Sequence, residues 1–232
     1  KELDFIKKKN NELEIGAGTS LIKFEKYIKK YYPDFNNILK RYGSVQIRNV
    51  GTIAGNIATA SPIGDTLPLL LSLDAKVIID GTKGKEIISL NNFFVSYRKT
   101  KLKKGQFIYS IKIPIYKKNI FKAYKISKRY DDDISSVCGS FNIEIDKKRI
   151  KKIKIAYGGM SAVPKRAKNV EKILINSNFS EKTINKAINN LSRDFKPIDD
   201  MRASKSYRME VAKNLLVKCF LEVKKKKNLR LS

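Results

Sequence analysis

The 232-residue chain has no histidine, no tryptophan and only two cysteines, Cys138 and Cys219. Without histidine it cannot form a Ser-His-Asp or Cys-His catalytic arrangement, because both use imidazole as the base. Two distant thiols cannot build an iron–sulfur cluster or a cysteine-rich zinc site, which need about four ligands. Both cysteines stand in apolar runs, so we expect buried thiols and predict no metal site.

Long apolar runs are also missing from the sequence. A membrane-spanning helix needs about eighteen consecutive apolar residues, and no such stretch occurs. The first residues carry charge, and the apolar segment of a signal peptide does not follow them. We therefore expect a cytoplasmic protein with no membrane partner. Because the chain starts at Lys1 and not at methionine, we also expect a truncation at its front.

Negative charge is scarce, since 50 lysines and arginines face 22 acids and give a net charge of +28. Such an excess is typical of nucleic-acid-binding proteins, and that alternative stays open at this point. The lysines are spread along the whole chain, however, and the most compact run covers only residues 224–227. We therefore favour solvent-exposed lysines over a binding stripe.

The most informative segment is residues 46–65, QIRNVGTIAGNIATASPIGD. It places Gly51, Ala54 and Gly55 among hydroxyl and amide side chains and ends in a PIGD turn. Small side chains leave the backbone N–H groups open to an anionic or heteroaromatic ligand. The segment therefore predicts a ligand-binding site.

Alternating and helical patterns of apolar residues predict an α+β chain. A domain boundary is predicted near residue 117, where the pattern of a strand ends at Pro114. Strands are predicted at 12–18, 75–80, 86–90, 107–114, 121–127, 134–145 and 150–157. Helices are predicted from a cap at Thr19, and at 35–42, 66–73, 169–175, 181–192 and 204–225.

Several segments together resemble the FAD-binding subunit of the xanthine dehydrogenase family, a branch of the molybdenum hydroxylases. They are residues 44–65, SYRKT at 96–100, FIYSIKIP at 107–114, AYKISKRYDDDISSVCGSF at 123–141, AYGGMSAVPKRA at 156–167 and DDMRAS at 199–204. The likeness is collinear over nearly the whole chain.

This resemblance implies the second half of a PCMH-type FAD-binding domain at residues 1–117. It implies a CO dehydrogenase flavoprotein-like C-terminal domain at residues 118–232, with a three-stranded antiparallel sheet and helices. The family's glycine-rich loop for the FAD diphosphate has no match here, which adds to the expectation of an N-terminal truncation.

The resemblance also implies the cofactor contacts. These are Tyr42, Thr52, Ile53, Ala54, Gly55, Asn56, Asp65, Ile108 and Lys125. Tyr42 and Ile108 would adjoin the flavin ring, and residues 52–56 would form a loop around the diphosphate and ribityl chain. Residues 128–133 would form a loop that tunes access of nicotinamide, and Thr59 is a weaker candidate by adjacency. No catalytic residue and no metal ligand is implied.

Taken one at a time, these residues also have ordinary structural interpretations. Tyr42 and Ile108 suit a hydrophobic core, and Lys125 is one lysine among many. Asp65 suits the N-cap of the helix predicted from Thr66. Only their joint occurrence in collinear order favours the cofactor.

The function implied is the FAD-carrying component of a xanthine dehydrogenase complex, with a role in purine catabolism. A molybdopterin-binding subunit would oxidise the substrate, and 2Fe-2S clusters, fused upstream or separate, would pass electrons to FAD and then to NAD. One alternative is a flavoprotein subunit of another molybdenum hydroxylase, acting on carbon monoxide, an aldehyde, nicotinate or an aromatic acyl-CoA. The other is the basic nucleic-acid-binding module.

Overall fold

The computed structural model describes residues 2–225 of the chain. The lysine run at 224–227 and the end of the predicted second domain, 118–232, therefore lie partly outside the described residues. Among residues 2–225, no helix combines the length and apolarity that crossing a bilayer requires.

The N-terminal unit is built on a five-stranded antiparallel sheet with the order β1-β2-β7-β3-β4. The central strand β7 follows FIYSIKIP, and its alternation places Ile111 and Ile113 in the core. The predicted strands at 75–80, 86–90 and 107–114 are confirmed. The strands of this unit are β1 (Ile6–Lys9), β2 (Glu12–Gly16), β3 (Lys76–Asp80), β4 (Glu86–Ser89), β5 (Phe94–Ser96), β6 (Lys99–Thr100) and β7 (Phe107–Pro114).

The described part of this unit also contains five α-helices. They are α1 (Leu21–Ile28), α2 (Pro33–Lys40), α3 (Val45–Val50), α4 (Ile53–Thr59) and α5 (Thr66–Ser72). The cap of α1 is Ser20, whose hydroxyl accepts from Lys23 N at 3.4 Å, so the prediction of a Thr19 cap was one residue off. Thr19 instead donates its hydroxyl to the Phe5 carbonyl.

Most of the segment at 46–65 is helical, because α3 and α4 occupy it, so the loop that the resemblance implied at 52–56 is the start of a helix. The hydroxyls of Ser44 and Thr52 accept from backbone N–H groups three residues on and start the two helices. In α4, Ile53 and Ile57 are buried in the core. Their burial offsets the poor helix propensity of glycine, asparagine and threonine.

The C-terminal unit has an antiparallel sheet with the order β11-β10-β9-β8. Its strands are β8 (Ile120–Ile126), β9 (Val137–Asp146), β10 (Arg149–Gly158) and β11 (Lys165–Arg166). The three predicted strands are present, and the two-residue β11 adds a fourth that was not predicted. It pairs Lys165 and Arg166 with the end of β10, a length too short for a sequence pattern.

Up to residue 225, four helices complete this unit: α6 (Lys168–Leu174), α7 (Glu181–Ile188), α8 (Leu191–Asp194) and α9 (Lys205–Lys225). The single helix predicted at 181–192 is interrupted before Leu191. The break lets Asp194 accept from Asn169 N and Val170 N at the start of α6. Helix α9 buries apolar side chains, among them Leu215 and Cys219, against the sheet.

The two units meet along α5, in which every residue is buried. The core of the N-terminal unit also includes Ala123, Cys138 and Ala156 from the second sheet. At the end of α5, the hydroxyls of Ser72 and Ser140 lie 2.6 Å apart. The apolar α5 is therefore shared between both sheets.

Both cysteines are buried and free, which leads to a first prediction. Burial raises the pKa of the Cys138 thiol, aided by the charge of Asp65, and burial likewise raises the pKa of Cys219. We expect an aromatic disulfide reagent at mildly alkaline pH to modify neither thiol in the folded chain. Both should react after denaturation. Rapid modification of either one in the native state would contradict the packing described here.

Candidate functional site

A cleft of about 560 Å³ opens between the N-terminal unit and residues 132–134. Six of the nine implied contacts line it: Tyr42, Thr52, Gly55, Asn56, Asp65 and Lys125. Thr59, the weaker candidate, lines it as well. Side chains that sequence reasoning did not select supply its apolar walls: Leu21, Ile47, Ile63 and Ile134.

The start of α4 forms one wall of the cleft. Thr52 stands at the N-cap, and its hydroxyl accepts from Gly55 N at 2.9 Å. A Cβ on Gly55 would meet only the Thr52 hydroxyl, at 3.2 Å, so the surface over Gly55 is open. Residues 52–56 therefore present a helix start to the cleft, and not the loop that was predicted.

Three implied contacts, Ile53, Ala54 and Ile108, are absent from this lining. Ile53 and Ala54 face the core because α4 turns them to the side opposite Thr52 and Gly55. Ile108 lies in β7, paired with Ile79 and buried in the same core. Their role as cofactor contacts stays a prediction.

Unlike a glycine, the alanine at position 54 is acceptable only at negative φ. It lies inside α4, where φ has the negative value of a right-handed helix. The alanine therefore fits its backbone without strain.

A chain of hydrogen bonds fixes Tyr42 at the cleft. Asn56 Nδ2 donates to the Tyr42 hydroxyl at 2.9 Å, and Thr66 donates its hydroxyl to Asn56 Oδ1. Burial raises the pKa of Tyr42, and the charge of Asp65 adds to the effect. The phenol therefore stays neutral at physiological pH and offers its ring as an apolar surface.

Asp65 and Lys125 form a buried ion pair between the two units. Lys125 Nζ lies 2.8 Å from Asp65 Oδ2, and the side chains are 1% (Lys125) and 7% (Asp65) exposed. Lys125 Nζ also donates to the Arg41 carbonyl at 2.9 Å, and Ser135 donates its hydroxyl to Asp65 Oδ1. Both charges are thus matched inside the protein.

Asp65 does not cap α5 through its side chain, although its position suited an N-cap. Asp65 does occupy the N-cap position of α5, yet its side chain makes no capping hydrogen bond. Its two oxygens are turned to Lys125 and Ser135 instead. Sequence reasoning missed Ser135, because nothing sets its hydroxyl apart from the neighbouring serine.

Arg41 holds the acidic loop at 128–133 against α2. Its guanidinium lies 4.4 Å from the centre of the Tyr130 ring and donates through Nε to the Tyr130 carbonyl at 2.9 Å. Nη1 donates to the Lys125 carbonyl at 3.1 Å. Asp132 and Asp133 consequently reach the rim of the cleft. No sequence signal separates Arg41 from the other basic residues.

The cleft fits a planar heteroaromatic ring with a polar chain attached. Its volume lies in the range of small-molecule sites, and apolar walls face hydroxyl groups from Thr52, Thr59 and Ser61. The open backbone at Gly55 permits a close approach of the polar chain. The residues present therefore suit a flavin, the group that the resemblance implies.

Sequence profiles of two families match the chain. The family described as "FAD binding domain in molybdopterin dehydrogenase" matches residues 1–116. The "CO dehydrogenase flavoprotein C-terminal domain" matches residues 122–223. These matches confirm the family resemblance and the fold class.

Individual proteins agree with this result. The glyceraldehyde dehydrogenase medium chain of Sulfolobus acidocaldarius is 32% identical over 227 residues, which are 96% of this chain and 79% of that protein. The xanthine dehydrogenase of Blastobotrys adeninivorans is 38% identical over 177 residues, which cover 70% of this chain but only 13% of that protein. The reconstituted CO dehydrogenase from Oligotropha carboxidovorans has the same fold, with a TM-score of 0.87 at 21% identity over 93% of this chain and 76% of that one.

The ion pair provides a prediction with a matched control. Asp65→Ala leaves Lys125 buried without its carboxylate and should lower the free energy of unfolding by about 3–5 kcal/mol. The control is Asp4, which pairs with Lys23 at a similar distance, 2.9 Å, but with side chains 45% and 42% exposed. Asp4→Ala should cost much less, because solvent screens this exposed pair.

Urea denaturation followed by circular dichroism measures both changes. Removing both charges with Asp65→Ala and Lys125→Met should restore part of the lost free energy, because no unmatched charge then remains buried. Equal costs for Asp65→Ala and Asp4→Ala would show that burial of the pair does not matter.

Proposed function

This chain belongs to the family of FAD-binding domains in molybdopterin dehydrogenases, and we propose that it is the FAD-carrying component of a xanthine dehydrogenase complex. Molybdenum and 2Fe-2S centres on partner subunits or domains would supply the electrons, and NAD would accept them. The observation that carries the proposal is the convergence of six implied cofactor contacts on one cleft. The chain spans only a small part of the xanthine dehydrogenases that it resembles, so the complex as a whole is proposed from likeness.

The residues of the cleft would bind and orient the cofactor. Tyr42, Leu21 and Ile63 would pack on the ring, and the hydroxyls of Thr52 and Thr59 would hydrogen-bond its polar chain. Bound FAD supplies one-electron transfer and also hydride transfer, which no protein side chain offers. The absence of histidine is therefore compatible with the activity, because the chain only has to hold and shield the group.

A second candidate substrate for the molybdenum partner is an aldehyde. The glyceraldehyde dehydrogenase medium chain matches 96% of this chain and, unlike the xanthine dehydrogenase, is itself covered over most of its length. The block at residues 123–141 favours xanthine, because it is the segment that most resembles the xanthine dehydrogenases. The site described here contacts neither substrate, since the molybdenum partner would bind it.

The native complex that contains this chain tests the proposal directly. Its visible spectrum should show flavin together with iron–sulfur absorption, and xanthine should support reduction of NAD. Glyceraldehyde as the donor and oxygen as the acceptor serve as comparisons. Turnover of aldehyde alone would favour the second candidate. A flavin-free preparation that binds duplex DNA at moderate salt would replace both with the nucleic-acid alternative.

Tyr42 gives a prediction for the cofactor itself. Tyr42→Ala should weaken FAD binding about tenfold, because an aromatic contact is worth about 1 kcal/mol beyond its buried area. Tyr42→Phe keeps the ring and should have a smaller effect. Tyr27→Ala removes a half-exposed tyrosine of α1 outside the cleft lining and is the control. Flavin fluorescence during titration of the flavin-depleted complex measures the affinities, and equal losses for Tyr42→Ala and Tyr27→Ala would argue against the assignment.

A further inference from the structure

Arg208 is the largest side chain that the structure buries completely, at 1% exposure in α9. A buried guanidinium is costly unless its donors and its charge are matched. Arg208 lines no part of the flavin cleft. Its burial therefore calls for an explanation outside the site described above.

Three separate segments converge on this guanidinium. Nη1 donates to the carbonyls of Ser136 and Gly159, the latter at 3.2 Å. Nη2 donates to Asp200 Oδ1 at 2.6 Å, and Nε donates to the Ala203 carbonyl at 3.4 Å. Arg208 thus ties the DDMRAS segment to the ends of two strands of the C-terminal sheet.

Asp200, the carboxylate that pairs with Arg208, is itself held by backbone hydrogen bonds. Asp200 Oδ1 also accepts from the backbone N–H groups of Arg202 and Ala203, at 2.8 and 3.1 Å. Burial tends to raise the pKa of Asp200, but these bonds and the bond from Arg208 outweigh it and lower the pKa. The carboxylate is therefore charged at neutral pH and balances the guanidinium.

The Gly159 carbonyl that Arg208 binds leads to one wall of the flavin cleft. Gly159, which supplies this carbonyl, also donates its N–H to the Pro62 carbonyl at 2.8 Å. Pro62 lies inside the turn at 61–65, whose other residues line the cleft. A single residue, Gly159, therefore links the Arg208 guanidinium to the turn.

The Ser136 carbonyl leads to another part of the cleft lining. Ser136, which supplies it, follows Ser135, whose hydroxyl bonds Asp65. Residues 132–134, just before them, line the cleft as well. One side chain behind the cleft therefore contacts the supports of both walls.

The carbonyls of Ser136 and Gly159 can both reach Arg208 only because of the backbone conformation at Gly159. Its φ is +82°, and a Cβ there would clash with the Ser136 carbonyl oxygen and lie 2.9 Å from Arg208 Nη1. Only glycine lets the two carbonyls approach the same nitrogen. The glycine and the arginine thus form one arrangement.

We infer that Arg208 is a positioning residue for the flavin cleft. It fixes the turn at 61–65 relative to residues 132–136, which include the rim at 132–134. The identity of the ligand rests on the proposed function, but the positioning of the two walls does not. Arginine suits this role because its planar fork reaches several acceptors at once, whereas lysine offers a single charged nitrogen.

Amide hydrogen exchange of the flavin-free protein tests the positioning. In Arg208→Met, the amides of residues 61, 63–65 and 132–136 should exchange at least about tenfold faster, because the bonds of a charged donor are lost. The core strand β2 should keep its rates. Arg208→Lys should give an intermediate result. Arg193→Met, which removes an exposed arginine of α8 in the same unit, should change neither wall.

Asp200→Asn keeps most of the hydrogen bonds and serves as the milder variant should Arg208→Met fail to fold. It should accelerate exchange at the same two walls to a smaller extent. Unchanged rates at both walls, or a uniform increase over the whole chain, would overturn the inference. FAD titration then separates the two proposals. Faster wall exchange with about tenfold weaker FAD binding supports both, whereas faster exchange in a protein that never binds FAD rejects only the proposed function.

Discussion

The buried ion pair between Asp65 and Lys125 is the contact on which the cleft depends. Removing two charges from water costs several kcal/mol for each ion, and a single partner rarely compensates. Here each group has two partners, because Ser135 also bonds Asp65 and the Arg41 carbonyl also accepts from Lys125. Four segments of the chain must therefore meet at one point, and the cleft lies beside it.

Helix α5 explains how that meeting point is held. Hydrophobic burial is not directional, so an entirely buried apolar helix has no fixed position along its own axis from burial alone. Polar contacts at its two ends supply the position: Asp65 bonds Ser135 at the start, and Ser72 contacts Ser140 at the end. Both of these partner serines belong to β9 or to the residues just before it, so α5 and β9 are aligned with each other.

The local pattern of apolar residues predicts the strands better than it predicts the residues of the cleft. The alternation of FIYSIKIP predicts β7 to the residue, since one face of that strand is buried. Helix α4 could not be predicted in this way, because its glycine, asparagine and threonine favour other conformations. The resemblance groups Ile53 and Ala54 with Thr52, and a run of adjacent residues does not tell which side chains a helix turns inward. The resemblance supplied Asp65 and Lys125 without their mutual contact, which joins residues that are 60 positions apart.

At the rim of the cleft, the placement of individual charges matters more than the positive excess of the whole chain. Two buried cations stand behind the segment 132–136, Lys125 through its ion pair and Arg208 through a backbone carbonyl. In front, the hydrogen bond from the backbone N–H of Arg129 lowers the pKa of Asp133, so this carboxylate is charged at neutral pH. Negative charge beside a bound ring would raise the free energy of adding an electron to it, and the two buried cations, each matched by its own carboxylate, Asp65 and Asp200, would offset this only in part. The potential at the cleft is therefore set by how these opposing charges are placed, which the net charge of +28 does not reveal.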